Sequence, residues 1–216
     1  MPSKTDVFSS AEIYADVRGK LIEAIYKSKA KMKPEQLRHN YNCAASTMRE
    51  VLFRLSSDGF LEFEEQRGFR VTTCAEQSLA ELIHMRILIE IEGAKLSIEK
   101  GDIEWEARLS AAQHKLAHIE HKMRASSAKD DFVNMWSMAE WQFHATLVSA
   151  CGSNLMRSQH KTIYDRFRQQ LLNLRQEHGF RDTNNIEHQA IVDAAVARDL
   201  EQCRAAISNH LLANLK

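Results

Sequence analysis

The chain has 216 residues, 44% of them hydrophobic, which is enough for one sizeable core or two small ones. Its 29 basic and 29 acidic side chains cancel, so a charged partner has to be sought in local clusters and not in the net charge. Only 7 Gly and 2 Pro punctuate the chain, which favours long helices. The four cysteines, Cys43, Cys74, Cys151 and Cys203, form no CxxC pair, which argues against a zinc knuckle or a disulfide framework and for a reducing, cytoplasmic setting. "MPSKTDVFSS" lacks the apolar core of a secretion signal, and no apolar run is long enough to cross a bilayer.

In the first 73 residues, Ser9 or Ser10 can cap a helix over "AEIYADVRGKLIEAIYKS". Its inner face reads Ile13, Val17, Leu21 and Ile25. A short helix follows in "KMKPEQLRHNY", with Pro34 suited to a first helical turn. After the break "NCAA" comes a third helix, "STMREVLFRLSSDG". Ser46 or Thr47 lies near its cap, Met48, Val51, Leu52 and Leu55 face inward, and Gly59 ends it. "FLEFEEQRGFRVT" alternates in part, with Leu61 and Phe63, then Phe69 and Val71, around a turn at Gln66-Arg67-Gly68, which predicts a hairpin. Three helices and a hairpin make a winged helix-turn-helix. From Arg18 to Arg54 nine Lys/Arg face three acids, Glu23, Glu35 and Glu50, an excess suited to a phosphate backbone.

The stretch "STMREVLFRLSSDGFLEFEEQRGFRV" resembles the winged-helix signature of GntR-type bacterial transcription regulators. The matching residues are Met48-Arg49-Glu50-Val51-Leu52, Leu55, Asp58-Gly59-Phe60 and Arg67-Gly68. The resemblance implies that the recognition helix enters the major groove and the wing tip approaches the minor groove, through Ser46, Thr47, Arg49, Arg67 and Gly68. An Arg can bond two acceptors of a guanine, hydroxyls reach phosphates, and a Gly admits close backbone approach. One departure stands out: many relatives carry Ser-Arg where this chain has Ala44-Ala45, so one expected base contact is missing.

Residues 74–216 form a second predicted domain, an all-helical antiparallel bundle of about six helices. The expected spans are 76–100, 102–125, 130–151, 153–178, 184–197 and 199–215. Gly101, Ser126-Ser127, Gly152 and Gly179 separate them, and Asp102, Asp130, Ser153, Asn184 and Asp199 are candidate starts. Nine of the ten histidines lie here. In "AEWQFHATLVSACG" Glu140 and His144 are four apart, on one helical face beside an apolar stripe. His188 and His210 also sit among apolar positions, on two other helices. One carboxylate and three imidazoles suit Zn²⁺, Ni²⁺ or Mn²⁺. Spacing alone leaves two readings open, satisfied core histidines or an ion site. His114, His118 and His121, at helical spacing, could hold zinc at an exposed site, but alternating with Lys115, Glu120 and Lys122 they read as a solvated face; Trp105, Trp136 and Trp141 read as core or pocket wall.

This half resembles the FCD ligand-binding domain of the FadR branch of GntR regulators. The resemblance rests on "ELIHMRILIEIEGAKLSIEKG", "EWQFHATLVSACGSN" and "EHQAIVDAAVARDLEQCRAAISNHL". In many such domains an Asp and three His hold a metal at the base of a pocket. The matching positions are Glu140, His144, His188 and His210, with Glu in place of Asp. Arg86 stands where a first-helix Arg often pairs with a ligand carboxylate, against the alternative of an ion pair with Glu90; Arg168 is a further candidate for the pocket lining, against the equal alternative of a surface position. The resemblance implies a non-enzymatic, homodimeric repressor that binds a near-palindromic operator on double-stranded DNA and responds to a small carboxylate held near the metal. Alternatives are a metal-dependent helical enzyme, or a pure metal sensor, joined to the DNA-binding module. No HExxH helix, nucleophile motif or phosphate loop supports the enzyme.

Overall fold

A computed structural model describes residues 8–125, 130–175, 181 and 183–215. The expected breaks at Ser126-Ser127 and Gly179 lie outside the described residues. The fold is mainly helical, and its contacts divide into two compact units: Met1–Ser78 with Asp165–Gln176, and Leu79–Tyr164 with Glu177–Lys216.

In the first unit, α1 (Ser10–Ile22) starts at Ser9, whose side chain accepts from the Glu12 amide while Glu12 reaches back to the Ser9 N–H, a capping box. The helix buries Ile13, Val17 and Leu21. It stops earlier than the sequence pattern implies. Ala24 takes a left-handed conformation (φ 53°), and Ile25 N–H turns back to the Lys20 carbonyl. Ile25 therefore leaves the buried face and is 58% exposed. The segment expected to be one short helix holds three elements: strand β1 (Lys31–Met32), α2 (Pro34–Leu37) and a 3₁₀ turn over Arg38–Tyr41.

Helix α3 (Ala45–Ser57) buries Met48, Val51, Leu52 and Leu55. Its cap position is Ala44, which offers no side-chain bond, so neither Ser46 nor Thr47 caps it. Its end is the expected one: Gly59 has φ 80° and Phe60 N–H bonds the Leu55 carbonyl. The hairpin of β2 (Leu61–Glu64) and β3 (Gly68–Val71) pairs Leu61 with Val71 and Glu64 with Gly68. β1 joins the far side of β3, so the wing is a three-stranded sheet in the order β1-β3-β2. Phe63 is 45% exposed instead of buried, although its ring packs on Phe53 and Phe69.

The second unit draws on α4 (Glu76–Lys100), α5 (Ile103–Ala125), α6 (Asp130–Leu147), α7 (Asn154–Arg175), α8 (Asn184–Val196) and α9 (Leu200–Leu212), the last extended by a 3₁₀ turn. Asp102, Ser153 and Asp199 each accept a backbone N–H of the first turn they precede, at 2.9, 3.1 and 3.0 Å. Asn184 opens α8, but the cap position is Thr183. Trp105 is fully buried, with its indole N–H on the Thr146 carbonyl at 3.0 Å. Arg198, itself in a left-handed conformation, donates to the carbonyls of Ile98 and Gly101 at the end of α4, where a cation is favoured. α5 packs on α6 and α8, and α8 on α9. Among the described residues no helix is long and apolar enough to cross a membrane.

Candidate DNA interface and metal centre

In the first unit, Ser46 and Arg49 are exposed on α3, with Thr47 half-buried. Among the described residues Arg49 has no ion-pair partner, so its guanidinium is not committed to a neighbouring acid. Arg67 lies at the wing tip in a solvent-exposed pair with Glu64 (2.9 Å), which has little net worth and is readily exchanged. Gly68 has φ 73°, and a Cβ there would meet nothing within 4 Å, so the backbone conformation and not space calls for glycine.

In the second unit, α6, α8 and α9 bring three imidazoles together. Each of His144, His188 and His210 offers a ring nitrogen within 4.8 Å of the others, and all three rings are buried. The His188 and His210 ring centres are 4.4 Å apart, and those of His144 and His210, stacked, 5.3 Å. Glu140, one turn before His144 on α6, places Oε1 3.5 Å from His144 Nε2, and its Oε2 accepts from the Tyr164 hydroxyl. His144 Nε2 and both nitrogens of His188 are buried without a hydrogen-bond partner. Leaving such atoms unsatisfied costs about 1–3 kcal/mol each. Converging donors with orphaned lone pairs fit a divalent ion, whose N–N spacing in a tetrahedral zinc site is roughly 3.3 Å.

Electrostatics prepares two of the three rings for an ion. Burial drives the His188 pKa well below 6.5, helped by His210 and His144. Burial also lowers His210, against a hydrogen bond to Glu187. Both rings are thereby held neutral, the form that ligates metal. His144 differs: burial disfavours its charge, but the Glu90 and Glu140 carboxylates together raise its pKa. Glu90 is itself fully buried. Burial pushes its pKa up, yet Arg86 and His144 hold it well below the usual carboxylate range.

Arg86 is 1% exposed, and its Nε donates to Glu90 Oε1 at 2.9 Å. Its guanidinium lies over the Tyr164 ring, 4.9 Å from the centroid. The pair with Glu90, which the i, i+4 spacing allows, is thus made. Arg168 is buried in the first unit. His114, His118 and His121 are exposed, as a solvated face requires. Glu120, read with them as solvated, is fully buried instead. Its Oε1 accepts from the Trp136 indole at 3.2 Å, and burial raises its pKa to about 7. Sequence reasoning also passed over His160 on α7, whose Nε2 lies 3.1 Å from Glu90 Oε1. The one signal available was its spacing of four from Tyr164.

The winged helix-turn-helix and the all-helical unit with its buried histidine cluster are the two parts of a DNA-binding transcription regulator. Family comparison agrees: residues 9–71 match the model of the bacterial regulatory proteins of the gntR family, and residues 81–213 match the FCD domain. The chain belongs to the GntR family and carries an FCD domain. It is 30% identical to the HTH-type transcriptional regulator BphR of Paraburkholderia xenovorans, over 90% of this chain and 79% of that protein. It is 26% identical to the HTH-type transcriptional repressor GlaR of Escherichia coli, over 94% and 93% of the two chains. The solved structure of E. coli McbR/YncC shares the fold with a TM-score of 0.74 at 16% identity, covering 95% of this chain and 94% of that one.

Proposed function

We propose that this regulator is a cytoplasmic homodimer, with residues 1–73 binding DNA and residues 74–216 holding metal and effector and joining the subunits. A divalent ion, Zn²⁺, Ni²⁺ or Mn²⁺, is bound by Glu140, His144, His188 and His210. The observation that carries this reading is the convergence of three buried imidazoles, those of His144 and His188 with unpartnered ring nitrogens, beside a buried carboxylate. An ion there supplies positive charge for a carboxylate oxygen. Arg86, buried and close enough to Glu140 to feel its charge, supplies a fork for a small carboxylate effector.

On the DNA side, Ser46, Thr47 and Arg49 contact the major groove, and Arg67 with Gly68 follows the wing into the minor groove. Two such modules address the half-sites of a near-palindromic operator. The regulator represses its target, as its relative, the transcriptional repressor GlaR, does. Effector and operator each favour one arrangement of the dimer, and the difference in affinity constitutes the switch. The test is a mobility-shift titration on the chain's own promoter region, with zinc and a panel of small carboxylates varied separately. The reading expects an acid to change DNA affinity only in the metal-loaded protein. A response to zinc alone, with every acid silent, makes the ion itself the signal and refutes the effector role.

A further inference from the structure

Each of the four candidate ligands has a second polar group behind it. The Nδ1 of His144 lies 2.7 Å from Glu90 Oε2. The Nδ1 of His210 lies 2.8 Å from Glu187 Oε2. His188 Nδ1 is 3.9 Å from Glu120 Oε1. Glu140 Oε2 takes the Tyr164 hydroxyl, leaving Oε1 toward His144. So three glutamates, from α4, α8 and α5, stand against the same atom of three different rings.

These glutamates are poorly placed to be ligands themselves. Glu90 also receives Arg86 and faces His160 through Oε1. Glu187 receives Arg181 on Oε2 (2.6 Å) and Thr183 on Oε1 (2.7 Å). Glu120 accepts from Trp136. A carboxylate at Nδ1 requires the proton there, which frees Nε2 as the lone-pair donor and makes the ring more basic.

We infer that Glu90, Glu187 and Glu120 are positioning residues that make His144, His210 and His188 bind the metal through Nε2, while Tyr164 turns Glu140 to bind through Oε1. This rests on the metal reading above and adds to it the ligating atom of each residue. The Glu120 contact is too long for a hydrogen bond as it stands; when His188 Nε2 takes the ion, the Nδ1–H closes on Glu120 to ~2.7–3.2 Å. Glu187, adjacent in sequence to His188, ties the ligand helix α8 to the ligand of α9, so one residue aligns two ligands.

The test uses the full chain with Zn²⁺, its affinity measured by competition with a chelator, and ¹⁵N NMR of the histidine rings to identify the ligating nitrogen. The inference expects three Nε2-bound rings. It expects ~10–100-fold weaker zinc binding for Glu187→Ala and for Glu90→Ala, with Glu187→Gln, which keeps the acceptor, falling between alanine and parent. Glu187 is partly exposed, so its variants carry the test even where Glu90→Ala fails to fold. A ring bound through Nδ1, or a Glu187→Ala protein that binds zinc as tightly as the parent, overturns the inference while the metal site stands. A parent chain that binds no zinc overturns both.

Discussion

Replacing His188 by Leu should reverse its stability ranking against the parent according to the metal content. His188 is 1% exposed and neither ring nitrogen has a hydrogen-bond partner within the protein. A neutral imidazole then buries one unsatisfied donor and one unsatisfied acceptor, at about 1–3 kcal/mol each. Leu is of similar size, and such a swap among the Phe143, His144 and His210 rings costs under about 1.5 kcal/mol. At the low end of those costs the chelated variant should exceed the parent by at least ~0.5 kcal/mol, and for a chain of this size Tm rises by roughly 2–4 °C per kcal/mol. With zinc at a hundredfold excess over Kd the parent gains about 2.7 kcal/mol, and the variant, lacking a ligand, gains far less. Thermal unfolding followed by circular dichroism, with chelator and then with zinc, reads both orders. A variant that is less stable in chelator, together with equal zinc stabilisation of the two proteins, would show His188 to be a satisfied core ring and refute the reasoning.

Further outcomes follow from other parts of the molecule. Arg49→Ala should weaken operator binding by ~1–3 kcal/mol and blunt base preference in a mobility-shift assay; unchanged binding would mean that α3 does not read the groove as placed. Gly93→Ala sets a methyl 2.8 Å from Val148 Cγ1, in a buried helix contact. That overpacking costs ~1–3 kcal/mol, against a helix-propensity gain of about 1, so Tm should fall; a rise would show that Val148 can yield. Burial and then the Asp58 carboxylate raise the Tyr14 phenol to about 12 from 10. The folded state favours the protonated phenol, so its contribution is complete below pH 10 and is lost as pH climbs toward about 12. Tyr14→Phe should flatten the alkaline fall in Tm, and an unchanged profile would remove that contact from the account.

Legibility in the sequence tracked the strength of the local signal. Gly59 ends α3 where it should because glycine takes a left-handed conformation freely. Ala24 ends α1 in the same conformation with no residue signal, so the i, i+4 pattern ran on to Ile25. β1 has two residues, too few for a period, and it exists only because β3 offers an open edge. In the second unit, Glu140, His144, His188 and His210 were legible as polar residues on apolar faces. Glu120 was not. It sits between Ile119 and His121, and its neighbours suggest solvent, whereas packing against Trp136 and α8 turns it inward. Glu90 was legible as a partner for Arg86, but its contacts with His144 and His160 join three helices, which no single-helix spacing encodes.

The central claim is tested most directly by loading the purified chain with zinc, counting the ion by mass spectrometry, and measuring X-ray absorption at the zinc edge. The account predicts one ion per chain, with three imidazole nitrogens and one carboxylate oxygen at ~2.0–2.2 Å, lost in the His144→Ala/His188→Ala variant. Zinc bound in equal amount by parent and double variant, or an edge spectrum without imidazole scattering, would contradict it.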